Sequence, residues 1–350
     1  MHKAPHPALD GLPIPLLSWY SQNARALPWR EEPEPYHVWV SEIMLQQTRV
    51  AAVIDYYRRF LEALPTVEAL AGCPREELMK LWQGLGYYSR AGNLQKAAQV
   101  ICRDYGGRFP SDYASIRSLP GVGDYTAGAV ASIAFGLPVP AVDGNVLRVV
   151  ARLTGDRSDI TRPDTKRAFT AELEQVIPTQ APGDFNQAMM ELGATVCLPN
   201  GQPLCESCPA KELCAARREG KTGVLPVKAP KKPRKIENRT VYFLFREGKA
   251  ALRRRPEKGL LAGLWEFPHV LEGETLPIPL EDVRPIGTGR HIFTHIEWHM
   301  TACAARTAEE LPEGWVWASG EELEKKYPIP SAFRDFLPEV ERLLRIEKVE

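Results

Sequence analysis

Residues 225–235 (LPVKAPKKPRK) divide this chain, because three prolines and five basic residues with no acid among them neither extend a helix nor join the interior of a sheet. Such a run is stiff and extended. Before it, apolar residues recur three and four apart through 36–61, 75–82, 93–105 and 164–176, with Pro, Gly or Ser at the breaks, which predicts helices. No alternating pattern of useful length precedes residue 240. Beyond the run the texture changes: 240–245 (TVYFLF), 250–253, 292–304 and 315–318 are short β-prone stretches, and 321–326 and 331–346 have helical spacing. The expected architecture is multidomain: an all-α region over 1–224, a basic linker over 225–238 and a mixed α/β domain over 239–350. A length of 350 residues agrees, since single hydrophobic cores stop growing well short of it.

Charge narrows the function. Lys+Arg and Asp+Glu both number 44, which excludes a protein that coats nucleic acid with a uniformly basic surface. The balance is partly a cancellation: 197–235 carries nine basic residues against three acidic, and 306–350 carries seven against eleven. The basic linker is equally a solvated connector or a local contact to phosphate. No apolar run approaches the roughly 18 residues of a membrane span, and 1–9 lack the apolar core of a secretory signal. The expectation is a cytoplasmic protein with no membrane partner, whose seven cysteines are thiols or ligands rather than disulfides.

Four of those cysteines, Cys197, Cys205, Cys208 and Cys214, are separated by seven, two and five residues. Thiolates crowded in this way need a cation. Zinc would accept the tetrad, but zinc modules usually pair two short-spaced knuckles across a longer gap. One compact tetrad fits a single [4Fe-4S] cluster better. Lys211, Arg217, Arg218 and Lys221 crowd the same loop and suggest a surface that meets phosphates.

Residues 111–118 and 124–135 read as two helices joined by the tight turn Leu119-Pro120-Gly121-Val122-Gly123. Two glycines flanking one apolar residue turn the backbone sharply and present N–H groups at the positive end of the next helix, where a DNA phosphate binds without base reading. The plainer alternative is a helix-helix connection. Asp143 precedes a helical pattern and reads first as an N-cap; the helix terminus would also keep it anionic. Glu42 shares a largely apolar helix face with Trp39, Ile43, Gln46 and Val50. It is either a satisfied buried acid or a carboxyl whose pKa desolvation raises.

Taken together, 119–127 (LPGVGDYTA), 142–149 (VDGNVLRV) and the cysteine tetrad resemble the helix-hairpin-helix DNA glycosylases related to endonuclease III. With 39–50 (WVSEIMLQQTRV), 84–90 (GLGYYSR) and a C-terminal domain, the resemblance narrows to their adenine-specific branch and covers the chain from about Ser18. It implies a six-helix barrel module at about 25–138 and a cluster module built from the N-terminal helix and 139–224. It also implies excision of adenine opposite 8-oxoguanine or guanine in double-stranded DNA at the start of base excision repair, by a monomer working at the nucleoid. Glu42 would protonate adenine and later activate water, while Asp143, oriented by Asn145, stabilises or captures the sugar cation, as two carboxyl groups do in retaining glycosidases. Lyase relatives carry a lysine where Tyr125 stands here; without that amine no imine forms, so the enzyme is expected to be monofunctional, with Tyr125 hydrogen-bonding near Asp143. Gln46, Gln47 and Thr48 would meet the DNA, Gln47 entering the stack and Tyr87 wedging beside the partner base, with Gly121, Val122 and Gly123 on the backbone. The hairpin is a further candidate for a monovalent cation or calcium. One departure is the first cysteine spacing, seven here where six is usual.

The C-terminal stretch 259–268 (GLLAGLWEFP) resembles that of Nudix (MutT-like) domains, but the glutamate-rich box that binds magnesium in them is missing, so a Nudix-like fold without pyrophosphohydrolase activity is expected. The resemblance implies that Phe293, Thr294 and His295 recognise 8-oxoguanine. His291, His295 and His299 alternate along one run and would splay along a strand rather than converge on a metal. The nearest rivals are a pyrimidine-specific relative of endonuclease III and an inactive cluster-bearing DNA binder.

Overall fold

The computed structural model describes residues 4–230 and 232–346. The linker reading at Lys231 and the domain ends at 1–3 and 347–350 lie outside the described residues. Two compact units emerge. One holds the described residues up to Ala71 and those from Asn93 to Pro230; the other holds Gly72–Gly92 and the described residues after Pro230.

The first unit is helical. Its central helix, Asp124–Phe135, starts at Gly123 and stops at Gly136, whose φ of 67° is the left-handed cap that glycine supplies. Thr126 to Ser132 are all buried, and the helix packs against Pro35–Leu45, Pro182–Thr195 and Tyr113–Ser118. Small residues permit that closeness: a Cβ on Gly128 would stand 2.3 Å from the Pro140 carbonyl oxygen. The helix Gly144–Thr154 is capped by Asp143 and ends at Gly155 with φ 70°. Its apolar side joins Leu9, Leu12 and Leu16 with Phe185, Met189 and Leu192 in one core.

The single helix expected over 36–61 is two, Pro35–Leu45 and Val50–Ala63. Gln47 adopts φ 59°, a conformation that ends a right-handed helix. The apolar spacing runs on across the break, which is why periodicity alone does not reveal it.

The second unit is a mixed sheet of β1 Lys235–Arg246, β2 Lys249–Arg254, β3 Trp265–Glu266, β4 His269–Leu271, β5 Glu281–Ile292, β6 Ile296–Arg306 and β7 Trp315–Ser319. The order is β3-β2-β1-β6-β5, with β4 on β1 and β7 on β2. β1 runs parallel to β6 from Lys235 beside Ile296 to Leu244 beside Ala305. Glu247 and Gly248, both at positive φ, make the two-residue turn from β1 to β2. One face buries Phe243, Phe267, Trp298 and Met300 under Phe333, Phe336 and the helix Leu337–Ile346; the other buries Leu244, Ala251, Val270 and Ala305.

Two expectations change here. β1 begins at Lys235, inside the stretch read as linker, because the backbone finds a partner there: Lys235 N–H donates to the His295 carbonyl at 3.1 Å. β5 was not expected at all. It is a mostly exposed edge strand with register shifts around Pro285 and no burial alternation to detect.

Candidate active site

Glu42 points from the helix Pro35–Leu45 into a cavity of about 170 Å³ that Tyr125, Asp143 and Asn145 also line. Tyr125, in the first turn of Asp124–Phe135, donates its hydroxyl to Glu42 Oε2 and lies 3.2 Å from Met190 Sδ. Tyr125 was expected to hydrogen-bond near Asp143; its partner is Glu42, which lines the same cavity as Asp143. Burial lifts the Glu42 pKa to about 7; the Tyr125 hydrogen bond opposes the rise, and the neighbouring Asp143 adds to it. Burial and the two carboxylates hold Tyr125 well above the ordinary phenol range, so it stays a neutral donor.

Asp143 is gripped from two sides. Its Oδ1 accepts from Val146 N–H at 2.8 Å and its Oδ2 from Asn145 Nδ2 at 2.8 Å. Asn145 Oδ1 in turn accepts from Arg148 Nη2 at 2.8 Å. These donors favour the carboxylate, while burial opposes them and raises its pKa above the ordinary aspartate value.

The same cavity holds residues to which no motif pointed. Glu191, 1% exposed, accepts from Arg25 Nε at 2.5 Å and Arg30 Nη2 at 2.8 Å. Burial opposes its ionisation, but the two arginines prevail and hold its pKa below the usual range. Arg30 Nε also donates to Gln187 Oε1 at 3.1 Å, which turns that amide's NH2 end toward other uses. Sequence offers no signal for this group: Arg25 and Arg30 lie more than 150 positions from Gln187 and Glu191.

Beside the cavity, Gln46 Nε2 donates to Thr126 Oγ1 at 3.3 Å, Thr48 Oγ1 to the Gln46 carbonyl at 3.4 Å, and Gln47 is exposed. In the hairpin, Gly121 has φ 76°, and a Cβ there would stand 2.6 Å from Asn93 Cβ. Val122 is buried, and its carbonyl accepts from Arg117 Nη1 at 2.9 Å; a cation bound at that carbonyl would compete with Arg117. Gly123 is the N-cap of the following helix.

Cys197, Cys205, Cys208 and Cys214 line one cavity of about 30 Å³ together with Arg152, Lys211 and Arg217. Arg152 Nη1 donates to Cys197 Sγ at 3.2 Å. Among the described residues, no three His, Cys, Asp or Glu side chains, these four included, form a group that could hold a metal ion.

Within the second unit, Phe293, Thr294 and His295 connect β5 to β6. Arg234 Nε donates to the Phe293 carbonyl at 3.1 Å, and the Phe293 ring packs between His291 and Trp298. Thr294 Oγ1 lies 3.1 Å from Tyr87 Oη. Two residues singled out separately by sequence are thus in contact. Tyr87 is 45% exposed with φ 46°. Of the three histidines, His299 pairs with Glu297 at 2.7 Å and His291 meets the Phe293 ring edge-on at 4.6 Å; among the described residues they form no group that could hold a metal ion.

This unit has its own buried carboxylate. Glu266, 2% exposed, accepts from Arg253 Nε at 2.8 Å, Arg255 Nη1 at 2.6 Å and His269 Nε2 at 2.9 Å. Arg239 Nη1, which can only donate, meets His269 Nδ1 at 2.9 Å, so the imidazole proton sits on Nε2. Burial would raise the Glu266 pKa, but these partners bring it down to about 2.

Residues 40–178 match the HhH-GPD superfamily of base excision DNA repair proteins, and 240–339 match the NUDIX domain. The adenine DNA glycosylase of Homo sapiens is 37% identical over 88% of this chain and 70% of its own length. The chain belongs to the adenine DNA glycosylase family. Two solved structures share the fold: a thermostable thymine-DNA glycosylase (TM-score 0.56, 30% identity, 61% of this chain and 97% of that one) and endonuclease III in a non-covalent DNA complex (TM-score 0.51, 27% identity, 61% and 97%). As a member of the adenine DNA glycosylase family the chain is a base excision repair enzyme acting on N-glycosyl bonds, with a helix-hairpin-helix region followed by a Nudix-like domain. No helix among its described residues is long and apolar enough to cross a membrane.

Proposed function

We propose that this chain removes adenine paired with 8-oxoguanine, or with guanine, by hydrolysis without strand cleavage. The observation that carries the reading is Glu42: a buried carboxyl with a pKa of about 7, facing Asp143 in a base-sized cavity. An N-glycosidic bond breaks with negative charge on the base and positive charge on the sugar, so an acid near one and a carboxylate near the other both lower the barrier. The adenine, flipped from the duplex, enters the cavity; Glu42 gives its proton to the leaving base, and Asp143, held by Asn145 and Val146, meets the sugar cation. Glu42, now ionised, accepts a proton from the attacking water. The Gln187 amide and the Arg25, Arg30 and Glu191 group offer donors and acceptors to orient a purine. Tyr125 supplies no amine, which disfavours the pyrimidine-specific lyase reading.

Gln47, exposed at the helix break, fills the gap left by the base. Gly121, Val122 and Gly123 hold a phosphate through backbone N–H groups. Tyr87 and Thr294, with Phe293 and His295, meet the partner base, where a hydroxyl can accept from the N7–H that 8-oxoguanine has and guanine lacks. Cys197, Cys205, Cys208 and Cys214 would hold one [4Fe-4S] cluster. The four thiols line one cavity, and a single compact cysteine tetrad suits a cluster better than the paired knuckles of a zinc module. Bound there, a cluster would supply a structural tie for this loop, and Lys211 and Arg217, which line the same cavity, would meet phosphate. The enzyme acts as a monomer on chromosomal DNA.

The test is single-turnover adenine release from duplexes pairing adenine with 8-oxoguanine, guanine or thymine, beside a damaged-pyrimidine duplex. Fastest release opposite 8-oxoguanine and none from the pyrimidine duplex is expected. Release without partner preference, or pyrimidine release, would overturn the reading.

A further inference from the structure

The segment 72–92 carries more than Tyr87. On its helix Arg75–Leu81, the half-buried Lys80 donates through Nζ to the Leu323 carbonyl at 3.2 Å and the Tyr327 carbonyl at 3.3 Å. Gln83 Nε2 donates to the Ile329 carbonyl at 3.1 Å. The acceptors lie at and just beyond the C-terminal end of the helix Gly320–Lys325, where carbonyls lack helical partners and the dipole favours a cation. They are fixed in turn: Tyr327 and Ile329 are buried, and the Tyr327 ring meets Trp265 edge-on at 4.8 Å.

From Gln83 the backbone makes a tight loop, with Gly84 at φ 101°, Gly86 at 73° and Tyr87 at 46°. Trp82 Nε1 donates to the Gly86 carbonyl at 3.1 Å, and Arg90 Nη2 to the carbonyls of Leu85 and Gly86 at 3.2 and 3.1 Å. The Arg90 guanidinium also lies 5.6 Å from the Tyr87 ring centre. A left-handed tyrosine persists only where its surroundings over-determine it. The loop is therefore a stiff arm, anchored at Lys80 and Gln83 and ending where Tyr87 Oη meets Thr294.

We infer that Lys80 and Gln83 are positioning residues for recognition of the base opposite the excised adenine, anchoring the 84–88 loop to 323–329 so that the Tyr87 and Thr294 hydroxyls keep their register. This rests on the reading above that Tyr87 and Thr294 meet that base. Discrimination between 8-oxoguanine and guanine turns on a single edge, and such a site needs its groups held to within about 0.5 Å. Neither Lys80 nor Gln83 lines the excision cavity, so the chemistry itself does not require them.

The experiment uses the full chain with Lys80→Met, which keeps the stem and removes the donors, Gln83→Met, and the double variant. Excision is followed in single turnover opposite 8-oxoguanine and opposite guanine. Loss of hydrogen bonds of ordinary strength is expected to cut the preference for 8-oxoguanine about fivefold, more in the double variant, with the rate opposite guanine held within about twofold. Lys80→Arg restores the preference, and in a Thr294→Ala background Lys80→Met causes no further fall. Hydrogen exchange at 84–88 and 293–296 quickens while the rest of the unit is unchanged. An intact preference, or an equal fall on both duplexes, overturns the inference. Should the unaltered enzyme show no preference, the partner-base reading fails by itself, and exchange at 84–88 still decides whether the anchor exists: unchanged exchange refutes it.

Discussion

Glu42 in the helical unit and Glu266 in the sheet unit are 5% and 2% exposed, and burial pushes both carboxyls upward. Glu42 rises to about 7, whereas Glu266 is brought down to about 2. The difference lies in their neighbours. Glu266 receives two guanidinium groups and an imidazole, while Glu42 receives one phenol and faces Asp143. Cations do line the Glu42 cavity, but Arg25 and Arg30 are bonded to Glu191. Burial alone therefore does not make a proton donor; burial with the counter-charge directed elsewhere does. Glu266 with its cations holds a domain together, whereas Glu42, with a phenol as its hydrogen-bond partner and only a weak pull from Arg30, has the pKa that the proposed proton donor requires.

The largest effect that would break this comparison is on the reaction. Glu42→Gln is expected to lower adenine excision by about three orders of magnitude or more, with binding to the mismatch retained, because it removes the proton that the departing base takes. The same substitution has a second signature. Unfolded, this carboxyl ionises near its ordinary 4.5; folded, it keeps its proton to about 7, so stability falls as pH rises through that window and the cost is complete above it. Glu42→Gln should gain up to about 3 kcal/mol above pH 7 and little below pH 4.5. Parallel denaturation curves for the two proteins across that range would refute the assignment.

Next in size is Glu266→Gln, the mirror experiment. Removing one member of a buried charge network leaves its arginines unpaired, and a loss of about 3–5 kcal/mol from the sheet unit is expected in chemical denaturation. The native contribution of Glu266 is present above pH 4.5 and lost as pH falls toward about 2. Excision opposite guanine by the folded variant should be unchanged; a proton-transfer defect there would erase the contrast.

The smallest effect sharpens it. The Tyr125 hydrogen bond opposes the rise in the Glu42 pKa, so Tyr125→Phe should move the alkaline limb of the excision profile to higher pH, at a cost of only several-fold in rate. A limb that moved to lower pH would mean that the phenol acts on another group.

How much of this was legible follows from range. Helix blocks, the glycine turn, the cysteine tetrad and the capping position of Asp143 are local patterns, and the sequence carries them openly. Glu42 could be placed on an apolar face, yet its two readings stayed open until Tyr125 and the remote Glu191 pair were seen. The break at Gln46 and Gln47 hides because apolar spacing continues through it, and β5 hides because an exposed edge with Pro285 and two glycines has no alternation. Tyr87 and Thr294 were each marked by resemblance. Their meeting, hydroxyl to hydroxyl, and the anchor of Lys80 and Gln83 on carbonyls both join groups more than 200 positions apart, which no short window encodes.

The parallel pairing of β1 with β6 has a cost during synthesis. β1 leaves the ribosome first, carrying the apolar TVYFLF run, and its long ladder partner follows only after β2 through β5 have emerged. Until then β2 and β4 can pair with only one edge of β1, and an open edge of that composition invites other nascent chains to pair with it. The residues just ahead of it, Lys228, Pro230, Lys232, Pro233 and Arg234, are charges and prolines of the kind that block such pairing. The segment that divides the chain thus also sets gatekeeper-type residues directly ahead of the strand whose second edge waits for β6.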